Sequence, residues 1–192
     1  MTKKDDAVRT ATGRDWTEWL SLLDAAGAAE WDHKGIVKHL AADYPQVSSW
    51  WQQSITVAYE RARGKRAIGE TAGGFQVGVQ RSVAAGADVV WKVLTERPEL
   101  WLGGPVRFEP GNQYEGGGVS GEIRVVKPVD RVRLTWRRTG WDTPATVQVS
   151  LLGEGGTTVR ALVEKLPDAQ SREWAREQWR IALERIAAEA GS

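Results

Sequence analysis

Apolar positions recur at helical spacing through the first third of the chain, then at every second position through most of the rest. Trp16, Trp19, Leu20 and Leu23 share one helical face. Asp15 stands ahead of them as an N-cap, with Glu18 three residues on to complete a capping box, and Gly27 supplies a stop. Asp32 heads a second helix carrying Ile36, Val37 and Leu40, and Pro45 follows its end. Ser48 or Ser49 starts a third, with Gln52 placed for a box from Ser49. Its expected buried stripe is Trp51, Ile55, Ala58 or Tyr59, and Ala62, and Gly64 ends it. Residues 1–13 are polar and aperiodic, so they are expected to be a disordered start. Residues 14–66 then form a small helical unit, and the Gly-rich stretch 67–73 a linker at the change of period.

Beyond that break Phe75, Val77 and Val79 alternate with polar residues, as a half-buried strand requires. A short helix over 87–97, with Val90, Trp91 and Leu94 on one face, is halted by Pro98. Strands follow around Val119–Val125, Val132–Trp136, Ala145–Leu151 and Val159–Val163. Lys127-Pro-Val-Asp130, Gly140 to Pro144 and Gly153-Glu-Gly-Gly156 separate them, a spacing that suits an antiparallel meander. A long helix from about Asp168 to Ala190 closes the chain, with Trp174, Gln178 or Trp179, Ala182, Ile186 and Ala190 as its stripe. On its wet side Glu173 with Arg176, Arg180 with Glu184, and Arg185 with Glu189 are spaced for ion pairs. The fold class is α+β: a helical bundle, then a second domain over 74–190 whose long helix buries its stripe on the sheet.

Composition narrows the function classes. The 192 residues carry 26 basic and 25 acidic side chains, a balance that argues against a nucleic-acid partner. The cluster Arg61-Ala-Arg-Gly-Lys-Arg66 and the helix-turn-helix rhythm around Tyr44-Pro-Gln-Val47 are the exceptions, but Trp50 and Trp51 stand where a recognition helix carries polar readers. There is no cysteine, which excludes disulfides, thiol nucleophiles and thiolate metal sites. No segment is long and apolar enough to span a membrane and no apolar signal region is present, so a cytoplasmic protein is expected. His33 and His39 fall on different faces of one helix, so no metal site is expected. Gly116-Gly-Gly-Val-Ser-Gly121 lacks the Gly-Lys-Ser/Thr of a phosphate loop and reads as a flexible or bulged strand entry. The arginines 124, 131, 133, 137, 138 and 160 suit a solvated outer sheet face, with anion binding as the sharper alternative. Glu115, Glu122 and Asp142 are the acids able to flank a pocket for acid–base work. One count stands out: 11 tryptophans against 3 tyrosines and 2 phenylalanines.

The second segment resembles the START-like, helix-grip (SRPBCC) superfamily, in the branch related to the Aha-type activator of the heat-shock protein 90 ATPase. The resemblance rests on an ordered series: Val79-Gln-Arg-Ser-Val-Ala-Ala-Gly86, Val90-Trp91, Trp101-Leu-Gly-Gly104, Gly121-Glu-Ile-Arg-Val-Val-Lys-Pro128, Arg133-Leu-Thr-Trp136, Gly155-Gly-Thr-Thr-Val159 and Trp179-Arg-Ile-Ala-Leu-Glu-Arg-Ile186. It implies a curved antiparallel sheet gripping the long C-terminal helix, with an apolar cavity between them. By position it places Trp91, Trp101, Phe108, Trp136, Trp141, Trp174 and Trp179 in or near that cavity. The expected function is non-catalytic binding of a hydrophobic small molecule or a protein client, with no cofactor. A cyclase- or hydrolase-type enzyme using the same cavity, and a co-chaperone or regulatory adaptor, are the alternatives; no histidine lies in this segment to supply acid–base chemistry. The first segment resembles a bacterial helical domain of unknown function, through Trp50-Trp-Gln-Gln-Ser-Ile-Thr-Val-Ala-Tyr-Glu-Arg-Ala-Arg-Gly64 and the preceding His33-Lys-Gly-Ile-Val37.

Overall fold

The computed structural model describes residues 3–153 and 156–191. The chain divides into two compact units, Met1–Ile68 and Gly69–Ser192.

The first unit is helical: α1 (Lys3–Thr12), α2 (Trp16–Ala25), α3 (His33–Asp43) and α4 (Ser49–Ala62), with a 3-10 turn at Ala28–Glu30. The capping box of Asp15 and Glu18 is formed in both directions, and Asp32 caps α3 through the Gly35 N–H at 2.7 Å. Helix α1 stands where the polar pattern led to a disordered start. Its order comes from two contacts that periodicity does not reveal. Val8 is fully buried, and Thr12 Oγ1 donates to Val8 O at 2.7 Å while accepting from Trp19 Nε1 at 2.8 Å. At α4 the cap is Ser48, and no box forms from Ser49: the Gln52 amide instead donates to Val47 O at 2.8 Å. In α4, Gln52, Ile55, Thr56, Tyr59 and Glu60 are buried, while Ala62 is exposed. The core is Val8, Trp19, Leu23, Ala28, Ile36, Leu40, Val47, Ile55 and Tyr59.

The second unit is a seven-stranded antiparallel sheet with two helices. Its strands are β1 (Glu70–Thr71), β2 (Gly74–Val83), β3 (Gln113–Gly116), β4 (Val119–Lys127), β5 (Arg131–Arg138), β6 (Ala145–Leu152) and β7 (Thr157–Leu166). Helix α5 (Ala87–Glu96) follows β2, and α6 (Ala169–Ala190) closes the unit. The strand order β1-β2-β7-β6-β5-β4-β3 makes a meander of β3 to β7, with β2 returning to pair with β7. Two strands fall outside the sequence expectation: β1 lies in the stretch read as a linker, and β3 carries a single apolar residue, Tyr114. The turn expected at Gly153-Glu-Gly-Gly156 includes Glu154 and Gly155, which lie outside the described residues.

Alternation sorts the sheet faces. Val132, Leu134 and Trp136 of β5, Ala145, Val147, Val149 and Leu151 of β6, and Val159, Ala161 and Val163 of β7 are all buried. Against them α6 lays Ala175, Trp179, Ala182, Leu183, Ile186 and Ala190. Asp168 caps this helix through the Ser171 N–H at 2.6 Å. Its outer ion pairs form at Glu173–Arg176 and Arg180–Glu184, but the expected Arg185–Glu189 pair does not, because Glu189 is taken by Arg97 near the end of α5. Among the described residues no helix is long and apolar enough to cross a membrane.

Candidate functional site

The aromatic side chains of the second unit are gathered where α6 crosses the sheet. Trp136 points inward from β5 and is 3% exposed; Trp179 projects from the middle of α6 and is 1% exposed. Their ring centroids are 5.9 Å apart at 62°. Trp101, just past a 3-10 turn that Pro98 begins, reaches Trp179 at 5.8 Å and anchors its own N–H on Leu94 O at 3.0 Å. Phe108 stacks on the outer side of this row, 5.6 Å from Trp101. Trp174 stacks on Trp136 at 5.0 Å, and Trp141 meets both edge-on at 5.7 Å. Arg138, at the end of β5, sets its guanidinium 4.5 Å from the Trp174 ring centre, a cation–π contact. Six of the seven residues named from sequence therefore form one continuous array, and Trp91 stands apart from it, packed on the core from α5.

Beside the array lies a cavity of about 170 Å³, partly open to solvent. Trp101, Trp136 and Trp179 border it; Phe108, Trp141, Trp174 and Trp91 do not. Leu100, Leu102, Val119, Ile181 and Ala182 complete its apolar lining, and Glu99, Gln178 and Arg185 stand at its rim. The remaining lip is backbone: Gly103 lies against Gly116 so closely that a Cβ on either would overlap the other's main chain. Gly117 and Gly118, both at positive φ, form the two-residue β3–β4 turn beside it. The Trp179 indole N–H is buried and meets no hydrogen-bond acceptor among the described residues; its ring is flanked by Trp101 and Trp136 in tilted arrangements that set ring edges against ring faces.

The cavity is small because the indoles fill the space between sheet and helix. Pockets for drug-sized ligands run to roughly 300–1,000 Å³, whereas an apolar cavity of roughly 150 Å³ takes a benzene molecule. This one is the size of a single ring.

The acids read as alternative catalysts divide. Glu115 and Glu122 border a separate open groove of about 580 Å³ with Tyr114, Ser120, Thr135 and Arg137, and Asp142 is not among its lining. Glu122 is held by Arg124 at 2.6 Å. Under this groove the Tyr114 hydroxyl donates to Thr135 O at 2.8 Å, passing over Gly121, whose backbone leaves no room for a Cβ. The Glu122 N–H bonds the Thr135 hydroxyl instead of a strand carbonyl. Burial pushes the Tyr114 phenol far above its ordinary pKa, so it remains a neutral donor. The sequence signalled this arrangement only through Gly121.

Several of the remaining candidates are engaged in structural contacts. Arg131 and Arg133 pair with Asp130 and Glu164. In the basic cluster after α4, Arg63 pairs with Asp24, Arg66 with Glu60, and Lys65 donates to Trp31 O. His33 lies between Glu60 and Gln53, and His39 contacts Asp43. Among the described residues no group of three or more His, Asp and Glu side chains is placed to hold a metal ion.

The comparisons with known proteins concern the second unit. The model of the family described as Activator of Hsp90 ATPase homolog 1-like protein matches residues 84–191. Among solved structures, CalU16 from Micromonospora echinospora is 20% identical with a TM-score of 0.54, covering 63% of this chain and 80% of that one. DynU16, from the dynemicin biosynthetic locus, is 24% identical with a TM-score of 0.51, over 59% of this chain and 46% of its own. The Aha1 dimer from Colwellia psychrerythraea is 13% identical with a TM-score of 0.51, over 60% of this chain and 96% of that one. These likenesses establish the helix-grip fold. No curated protein matches the chain by sequence.

Proposed function

The chain belongs to the Activator of Hsp90 ATPase homolog 1-like family, and we propose that within that family it is a binding protein whose sheet–helix cavity takes a compact, one-ring ligand. The observation that carries this reading is the convergence of Trp101, Trp136 and Trp179 on a partly open cavity of about 170 Å³. Flat, polarizable walls recognise a planar ligand through dispersion and ring stacking, and the rim side chains orient it. Lipids and multi-ring compounds exceed the volume, so the ligand range is narrower than the fold alone implies. Phe108, Trp141 and Trp174 buttress the three lining indoles from outside the cavity, and Trp91 packs the core behind α5.

The test is a calorimetric and native mass-spectrometric panel on the full chain, running from toluene-sized compounds to long-chain fatty acids. Saturable one-to-one uptake of single-ring compounds with no uptake of fatty acids supports the reading; a panel in which nothing binds overturns it. A second reading, a protein client such as an Hsp90-type ATPase, draws on the family's description and on the half-buried Trp141 and Trp174 beside Arg138. An empty ligand panel together with stimulation of such an ATPase by the purified chain would favour it.

A further inference from the structure

We infer that the ligand of this cavity carries a negative head group and belongs to the class of compact aromatic carboxylates, an inference that rests on the cavity being a ligand site. The wall and the rim make different demands. The wall sets three indoles with Leu100, Leu102, Val119, Ile181 and Ala182 beside the backbone of Gly103, Gly116 and Gly117, and it encloses the volume of one ring. The rim is polar, and its two charged side chains differ in their partners. Glu99 is already held by Arg97 Nε at 2.6 Å. Arg185 lies on the cavity face of α6, one turn beyond Ala182, and no ion pair engages it among the described residues. Along the helix Glu184 pairs with Arg180 at 2.6 Å, and Glu189 shares Arg97 with Glu99. The opposite lip, Gly103, Gly116 and Gly117, brings no side chain at all.

The mouth of the cavity therefore presents one guanidinium without an ion-pair partner among the described residues, beside a ring-sized hollow. A cationic ligand would meet Arg185 with like charge. A neutral one would leave it unused. A planar carboxylate on a ring matches the guanidinium fork, while the ring enters the indole-lined hollow. Water reaches this rim, so the head-group contribution is that of a partly screened charge-assisted bond, on the order of tenfold in affinity.

Benzoate, benzyl alcohol and benzylamine share one ring and differ in charge, and titrating each into the full-length protein by calorimetry separates the outcomes. Benzoate is expected to bind about tenfold tighter than benzyl alcohol, with that advantage shrinking as salt rises. The Arg185→Gln variant should lose the advantage of benzoate over benzyl alcohol; Arg185 is exposed, so the fold should not depend on it. Equal binding of benzoate and benzyl alcohol, tighter binding of benzylamine, or unchanged benzoate affinity in Arg185→Gln would overturn the head-group inference and leave the cavity reading standing. Binding of none of the three would overturn the cavity reading, and the inference with it.

Discussion

Removing one oxygen atom from Tyr114 should destabilise the helix-grip unit by about 2 kcal/mol. The ring is 4% exposed, and its hydroxyl donates to the Thr135 carbonyl at 2.8 Å, at a point where β4 and β5 do not pair through their own main chains. Tyr114→Phe keeps the ring and leaves a partly buried carbonyl without this donor. The loss combines a net hydrogen bond of about 1 kcal/mol with part of the cost of an orphaned acceptor, about 1–3 kcal/mol in full. Unfolding entropy of about 2.1 cal/mol/K per residue over the unit Gly69–Ser192 sums to about 260 cal/mol/K, so the melting temperature should fall by about 8 °C. Differential scanning calorimetry reads this directly, and hydrogen exchange at the Glu122 amide localises it, since that N–H bonds the neighbouring Thr135 hydroxyl. Gly121→Ala is the companion variant. Its Cβ would overlap the Thr135 carbonyl and stand 2.6 Å from the Tyr114 oxygen, for a cost of about 3 kcal/mol. The double variant should lose less than the sum, because removing the hydroxyl clears one of the two obstacles. A Tyr114→Phe protein within about 0.5 kcal/mol of the parent would refute the reasoning, since the hydroxyl would then not be the partner of a partly buried carbonyl.

Two further outcomes follow from backbone and charge. Val129 sits at φ 58° after Pro128 in the β4–β5 turn, where the Asp130 N–H bonds Lys127 O at 3.1 Å. A β-branched residue there is strained, so Val129→Gly should stabilise by about 0.5–1 kcal/mol after the added chain entropy is counted, raising the melting temperature by about 2–4 °C; a lower value contradicts the assignment of strain. Asp168 caps α6, and the bond from the Ser171 N–H holds its carboxyl below the ordinary value. A pKa lower in the folded state than in the unfolded state means the stabilisation is complete above about pH 4 and is lost as pH falls through the folded value. Asp168→Asn keeps a capping oxygen and should flatten that acid limb in denaturation series between about pH 5 and pH 2, whereas an unchanged acid limb would show that Asp168 does not set it.

Legibility in the sequence followed the number of apolar residues an element carries. Strands β5 to β7 and helix α6 each bury several, so their periods show; Asp15 and Asp32 cap the helices they were expected to cap, and Asp168, read as the approximate start of the last helix, is its cap. Helix α1 hangs on Val8 and Thr12, and β3 on Tyr114, so each has too few apolar positions to set a period. In α4, Gln52 bonds a backbone carbonyl instead of taking a capping role, a choice between two satisfied hydrogen bonds that spacing does not decide. At the candidate site the residue types were legible, and six of the seven named aromatics do come together. The cavity's size was not, because it depends on how the indoles tilt against one another. Arg185 was read as the partner of Glu189, and only the tertiary contact from Arg97 to Glu189 shows that it is left at the cavity mouth.

On the proposed function a one-ring ligand occupies the hollow lined by Trp101, Trp136, Trp179 and the face of α6. Ala182 borders that hollow and is 6% exposed, so Ala182→Leu grows directly into it. Calorimetric titration of this variant with a single-ring ligand that binds the parent is the most direct measurement. The proposed function requires that uptake is abolished while stability is held or raised, as cavity filling commonly adds about 0.5–2 kcal/mol. Undiminished binding by Ala182→Leu would contradict it, because the ligand would then lie somewhere other than this cavity.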